Sequence, residues 1–167
     1  VIDGNSAATT YVSTTTGEVI ISGTGGGSTT NNYGFNLING GMVNSTGAGS
    51  ISITGKSAGT AVGFRTSTGS NVIGGASATG DITLIANTAT AGNDSISLAN
   101  LSIQTTGKLN LQPLNDSTTI GVNTGSTGDF NLSSTDLATI TAGNSGIVIG
   151  KTTGTGAVDL RATTWTD

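Results

Sequence analysis

The side chains able to do chemistry in this chain are few, and most are carboxylates. Nine acids, Asp3, Glu18, Asp81, Asp94, Asp116, Asp129, Asp136, Asp159 and Asp167, stand against five cations, Lys56, Arg65, Lys108, Lys151 and Arg161. There is no histidine and no cysteine, which rules out Ser-His-Asp and Cys-His nucleophile systems, disulfide scaffolds and thiolate metal sites. Carboxylate acid–base catalysis is the remaining chemistry, and it needs two acids on one site with their pKa values driven apart. The acids here fall mostly singly, at the starts of strands or turns. Asp81 and Asp129 are the candidates for loose calcium binding with turn carbonyls. Hard cations gather several oxygens, however, and the Gly-Gly-x-Gly-x-Asp calcium repeat is absent, so both read as surface aspartates. Gly55-Lys56-Ser57 has the ending of a phosphate loop, but Ser50 stands where that loop requires glycine and no helical pattern follows. It reads as the end of a strand. No catalytic, cofactor-binding or metal-ligating residue is assigned, and no cofactor.

Those residues must be positioned by an unusual chain. Of its 167 residues 28 are glycine, 8% are charged, 34% are hydrophobic and the net charge is −4. Disordered chains pair high charge with little apolar content, whereas here Val, Ile and Leu alternate with polar residues as in half-buried strands. The single proline and the lack of a Gly-X-Y register exclude collagen. The scattered cations form neither the basic surface that nucleic acid requires nor a polybasic membrane patch. No run approaches the ~20 apolar residues of a spanning helix. The start at Val1-Ile2-Asp3-Gly4, without methionine or signal peptide, suits a piece of something longer or a processed chain.

The apolar residues recur. Gly17-Glu18-Val19-Ile20-Ile21 is followed by Gly49-Ser50-Ile51-Ser52-Ile53, Gly80-Asp81-Ile82-Thr83-Leu84 and Gly107-Lys108-Leu109-Asn110-Leu111. Ile20, Ile51, Ile82 and Leu109 are taken as one core ladder, with steps of about 31, 31 and 27 residues. A second series runs Phe35-Asn36-Leu37, Gly63-Phe64, Ile96-Ser97-Leu98. A third runs Met42-Val43, Val72-Ile73, Leu101-Ser102-Ile103. Three short strands about ten residues apart, punctuated by Gly, Asn and Ser, repeat as a unit. Hairpins prefer recurring two-residue Asn-Gly links, and the clearest one, Asn39-Gly40, does not recur. The period therefore predicts an all-β fold: a parallel β-helix, or β-solenoid, of five to six coils, a rod roughly 25–30 Å long. Residues 1–167 form one solenoid segment of a longer array, with Phe35 and Phe64 in its core. Helices of note are not expected, and Ser133–Ile140 reads as a turn followed by a strand because Thr and Ser are dense there. Ile120–Leu132 aligns with Ile149–Leu160 as a second internal repeat.

Uncapped ends expose backbone and core. Neither Val1-Ile2 nor Ala162-Thr163-Thr164-Trp165 reads as a cap, so the partners expected are neighbouring solenoid coils or other copies end to end. Thr14-Thr15-Thr16, Thr66-Ser67-Thr68 and Thr88-Ala89-Thr90 raise the idea of a threonine ladder that binds ice. They do not return at one fixed place in each coil, and outward strand threonine is the plainer reading. Five Asn-x-Ser/Thr sequons, at Asn44, Asn93, Asn100, Asn115 and Asn131, are expected by composition in so polar a chain.

The pattern resembles a known family. Tyr33-Gly34-Phe35-Asn36-Leu37-Ile38-Asn39-Gly40-Gly41 with Ser50-Ile51-Ser52-Ile53-Thr54-Gly55 looks like the strand repeats of large bacterial surface exoproteins. Leu132-Ser133-Ser134-Thr135-Asp136-Leu137-Ala138-Thr139-Ile140-Thr141-Ala142-Gly143, followed by Ile147-Val148-Ile149-Gly150, is similar to repeats of filamentous-haemagglutinin-like proteins. The resemblance covers the chain from about Gly17 onward. It implies a right-handed parallel β-helix exported by two-partner secretion and serving adhesion, biofilm or cell-surface filaments. The Asn-Pro-type motifs of that family's secretion domain are not found; the one proline is Pro113. The function expected is thus an extracellular structural and adhesive shaft on a bacterial surface, not an enzyme. A self-assembling filament subunit is the alternative, and a polysaccharide-active β-helix enzyme the remote one, since fold does not imply function.

Overall fold

The computed structural model describes residues 1–4, 11–27, 30–87, 90, 92, 94–141 and 143–162. Its regular part is built from twelve strands: β1 (Ile2–Asp3), β2 (Tyr11–Thr14), β3 (Val19–Gly25), β4 (Phe35–Ile38), β5 (Met42–Ser45), β6 (Ile51–Ser57), β7 (Phe64–Ser67), β8 (Asn71–Gly74), β9 (Ile82–Asn87), β10 (Ile96–Leu98), β11 (Leu101–Gln104) and β12 (Lys108–Pro113). The chain then forms β13 (Ile120–Val122), β14 (Phe130–Leu132), the one-turn helix α1 (Ser134–Leu137), β15 (Gly146–Ile149) and β16 (Val158–Leu160).

Every third strand of the regular part stacks in parallel. Sheet A runs β1-β4-β7-β10, sheet B β2-β5-β8-β11, and sheet C β3-β6-β9-β12-β15. Three sheets wound by one chain make a parallel β-solenoid of about three regular turns. Along each strand the residues alternate in and out, so the inward rows of successive rungs meet at the ~4.8 Å strand spacing. Leu37, Val43, Ile53, Phe64, Ile73, Leu84, Leu98, Ile103 and Leu111 are fully buried in one continuous core. Phe35 lies opposite Phe64 in register, and their rings stack with centroids 4.7 Å apart.

The sheet C ladder corrects one expectation. Val19, and not Ile20, lies opposite Ile51, which continues to Ile82, Leu109 and Ile147. Ile20 pairs with Ser52 on the outward face and is 71% exposed. Val19-Ile20-Ile21 is apolar throughout, so hydrophobicity alone cannot say which residue faces in, and a slip of one residue reverses the face. The glycines preceding each strand hold the true frame, with Val19, Ile51, Ile82 and Leu109 each two residues after Gly17, Gly49, Gly80 and Gly107.

Corners depend on backbones that pass closely. A Cβ on Gly63 would overlap the carbonyl oxygen of Asn87, and one on Gly74, whose φ is +93°, would overlap that of Gln104; only glycine fits both. Between sheets A and B the chain turns through left-handed residues, Asn39 (φ 56°), Thr68 (φ 33°) and Asn100 (φ 54°), one above another. Asn39-Gly40 is therefore a solenoid corner, and its conformation recurs where its sequence does not. Asn71, 1% exposed, ties this corner. Its Nδ2 donates to the carbonyls of Ser67, Thr68 and Asn100, and its Oδ1 accepts from Gly40 N.

Beyond Pro113 the pattern changes. β13 lies between β14 and β16 in a fourth sheet, D, with Ile120 opposite both Phe130 and Val158. The ends of the internal repeat, Phe130–Leu132 and Val158–Leu160, are thus equivalent. Its beginnings are not, because Ile149 continues sheet C while Ile120 opens sheet D. The segment expected to be a turn and strand over Ser133–Ile140 instead contains α1. The Ser133 side chain accepts from Asp136 N, and the Asp136 carboxylate accepts from Ser133 N, a capping box that outweighs the low helix propensity of Ser and Thr. Of the strand expected there, a single bridge of Ile140 to Ile103 is present. The end expected at Ala162–Trp165 falls, after Ala162, outside the described residues.

A candidate functional site at the seam between the coils and the terminal sheet

Between β10 and β14 carboxylates stand where a strand ladder would have carbonyls. Asp94 precedes β10 by two residues, and its Oδ1 accepts from Ile96 N, 3.1 Å, in an Asx turn, and from Asn131 N, 3.1 Å, on β14. Asp136, in the first turn of α1 and buried, accepts from Leu98 N at 2.6 Å. Asp129 Oδ1 accepts from Gly92 N at 2.7 Å, while its backbone carbonyl accepts from Ser95 N and Oγ. One rung away, Asp159 Oδ2 accepts from Thr127 N at 3.0 Å. Four carboxylates each hold a backbone N–H from a distant stretch of chain. Where the carboxyl is held in its ionised form, as at Asp159, such charge-assisted bonds are stronger than neutral ones.

Asp94, Asp129 and Asp159 border a cleft of about 570 Å³, lined also by Gly92, Gly128 and Asn131. Acids that look single in the sequence are therefore gathered here, three of them in one cleft. Their environments differ. Burial pushes the Asp94 carboxyl up to about 7, the charge of Asp136 adding to the effect, against the N–H groups of Ile96, Asn131 and Ser95, which pull the other way. The Thr127 N–H holds Asp159 below the usual carboxylate range, with Arg161 assisting. Opposite shifts in one cleft are what acid–base catalysis requires; among the described residues that line it none is aromatic or cationic. The carboxyl groups of Asp94 and Asp136 also tie β10 to β14 and α1.

The other sequence candidates lie apart. Asp81 Oδ1 accepts from Lys108 N at 2.8 Å, across one rung of sheet C. Asp116 pairs with Lys151, whose hydrogen bond holds its carboxyl low. Among the described residues no three acids are placed to hold a metal ion. Lys56 and Ser57 end β6, and Ser57 is buried, accepting from Gly59 N. Thr66 points inward, fully buried, and donates to the carbonyl of Ala99, which breaks any flat threonine face at that position. Thr88, Ala89, Asn93 and Asp167 lie outside the described residues. Two signals of the seam were available in the sequence: Asp94 two residues before an inward isoleucine, and Ser133-x-x-Asp136 as a capping box.

Comparison with family models, curated proteins and solved structures finds no match, so function is argued from the chain's own residues.

Proposed function

We propose that this chain is a structural and adhesive shaft segment of a filamentous-haemagglutinin-like bacterial surface exoprotein, located outside the cell. The carrying observation is the uninterrupted parallel stacking of three sheets around one apolar core. Such a body holds its length, because bending it strains many backbone hydrogen bonds at once. Its outward rows are short and mostly uncharged: Ser52, Thr83 and Asn110 follow one another on sheet C. With five Lys and Arg in the whole chain, it offers few cuts to basic-specific proteases. On this reading the winding is right-handed, and the terminal sheet belongs to a longer array of which this segment contributes five to six coils. Antibodies raised against the purified chain should label intact cells of the source organism. Labelling only after lysis would overturn the assignment.

A second reading, a filament subunit joined end to end, is favoured by the sheet edges. Sheet C ends at β3 on one side and β15 on the other, and Val158 and Leu160, on the core-facing row of sheet D, are 63% and 67% exposed. Electron microscopy across a range of concentrations separates the two. Rods of constant length support the shaft, and filaments that lengthen with concentration support the subunit, by β-augmentation.

A further inference from the structure

We propose that the seam between β10 and β14 is a pH-sensitive hinge, tightest near pH 4 and loosened as the solution approaches neutrality. Within the regular coils, adjacent rungs are joined by ladders of backbone carbonyls, which do not titrate, with the exposed Asp81 adding one bond to Lys108 N at the edge of sheet C. Across this seam the N–H groups of Asn131 and Leu98 are held by the carboxylates of Asp94 and Asp136, and Gly92 N by Asp129. The seam is where sheet A gives way to sheet D, so its opening frees β14 and α1 from β10 while β15 stays paired to β12 in sheet C.

The charges facing Asp94 are nearly all of its own sign. β10 contributes no charged residue, the turn before β14 contributes Asp129, α1 contributes Asp136 and β16 contributes Asp159. Of the cations on neighbouring strands, Arg161 is engaged with Asp159, and Arg65, opposite Ser97 on β7, with Asn36 and the Tyr33 ring. An ionised Asp94 is therefore a buried charge without a cationic partner, disfavoured by desolvation. The closed seam keeps its proton up to about pH 7, while an opened, hydrated seam releases it near the ordinary carboxylate value of 3.8. Opening thus releases a proton, and becomes easier with each pH unit between those values, with no further change above them. Asp159 acts in the opposite sense, its bond to Thr127 being lost only as the pH falls below the ordinary carboxylate range.

Amide hydrogen exchange on the full chain between pH 4.5 and 8.5, corrected for intrinsic rates, tests this. Protection at Leu98 and Asn131 should fall about tenfold per pH unit up to 7 and then flatten. Protection at Ile53 and Leu84 in sheet C should change by less than about threefold. Asp94→Asn, which cannot ionise, should show no slope. A flat profile in the unaltered protein, or the same slope in Asp94→Asn, overturns the proposal. Should that variant fail to fold, the Asp94 carboxyl carbon can be titrated by NMR in the unaltered protein. A midpoint near 7 supports the hinge, and one below about 5 overturns it.

Discussion

The coils from β1 to β12 and the segment from β13 to β16 solve one problem, joining a strand to the strand beneath it, by different means. In the coils the join is a repeating ladder, and the side chains above and below are of like kind: Phe35 on Phe64, Ile51 on Ile82, Val43 on Ile73. The terminal strands keep ladders of their own, but where β14 meets β10 individual side chains make the join, the carboxyl groups of Asp94, Asp129 and Asp136 each catching an N–H from across the seam. Repetition gives the first region strength that no single polar residue controls. The second depends on a few ionisable groups, and so on solution conditions.

Substitutions can break this contrast at its extremes. Phe64→Ala removes a fully buried ring from the middle of the coils and should cost about 4 kcal/mol, measured by denaturant unfolding. A loss under about 1 kcal/mol would mean that the core is not continuous there. Next comes the pH dependence of the terminal region. Because the folded carboxyl of Asp94 lies at about 7 and the free one at 3.8, the stability it confers is complete below pH 4 and lost as the pH rises through 7. The loss should be about 3 kcal/mol, allowing for the group's partial contact with solvent. Melting followed at pH 4 and pH 8 should show it in native Asp94 and not in Asp94→Asn.

Asp136→Ala removes one half of the capping box, the acceptor of Ser133 N, together with the acceptor of Leu98 N, at about 2 kcal/mol. Exchange at Leu98 should report that loss before sheet C does. The smallest effect sharpens the register: Ile20→Ser should stay within about 0.5 kcal/mol, while Val19→Ser, one position away and facing the core, should cost more than about 1.5 kcal/mol. A larger cost at Ile20 than at Val19 would mean that the strand is set one residue differently.

The regular region was legible because its code is written many times. Three strand series, their order and the parallel winding follow from the spacing of apolar residues, and Phe35 and Phe64 belong to one series and to the core on that spacing alone. Ile20 was misread at the first rung, where three apolar residues in a row remove the alternation that sets register and only the preceding glycine frame retains it. The seam was far less legible. Asp94 and Asp136 lie 42 positions apart, and nothing local says that their carboxylates will serve one junction; their grouping appears only once β14 has folded back beside β10. Helix α1 was readable from Ser133 and Asp136, but a window dense in Thr and Ser argued for strand more loudly than two capping residues argued for helix.

The stacked left-handed corners at Asn39, Thr68 and Asn100 bear on how such a molecule could lengthen over generations. Each corner meets only the corner above and the corner below, so a cut through two successive corners removes one whole turn and leaves ends that match. Duplication between the same two points inserts a turn with equal ease. Unequal recombination within the gene would then change the chain by complete turns, and inheritance could alter the length of the body without having to invent a new core.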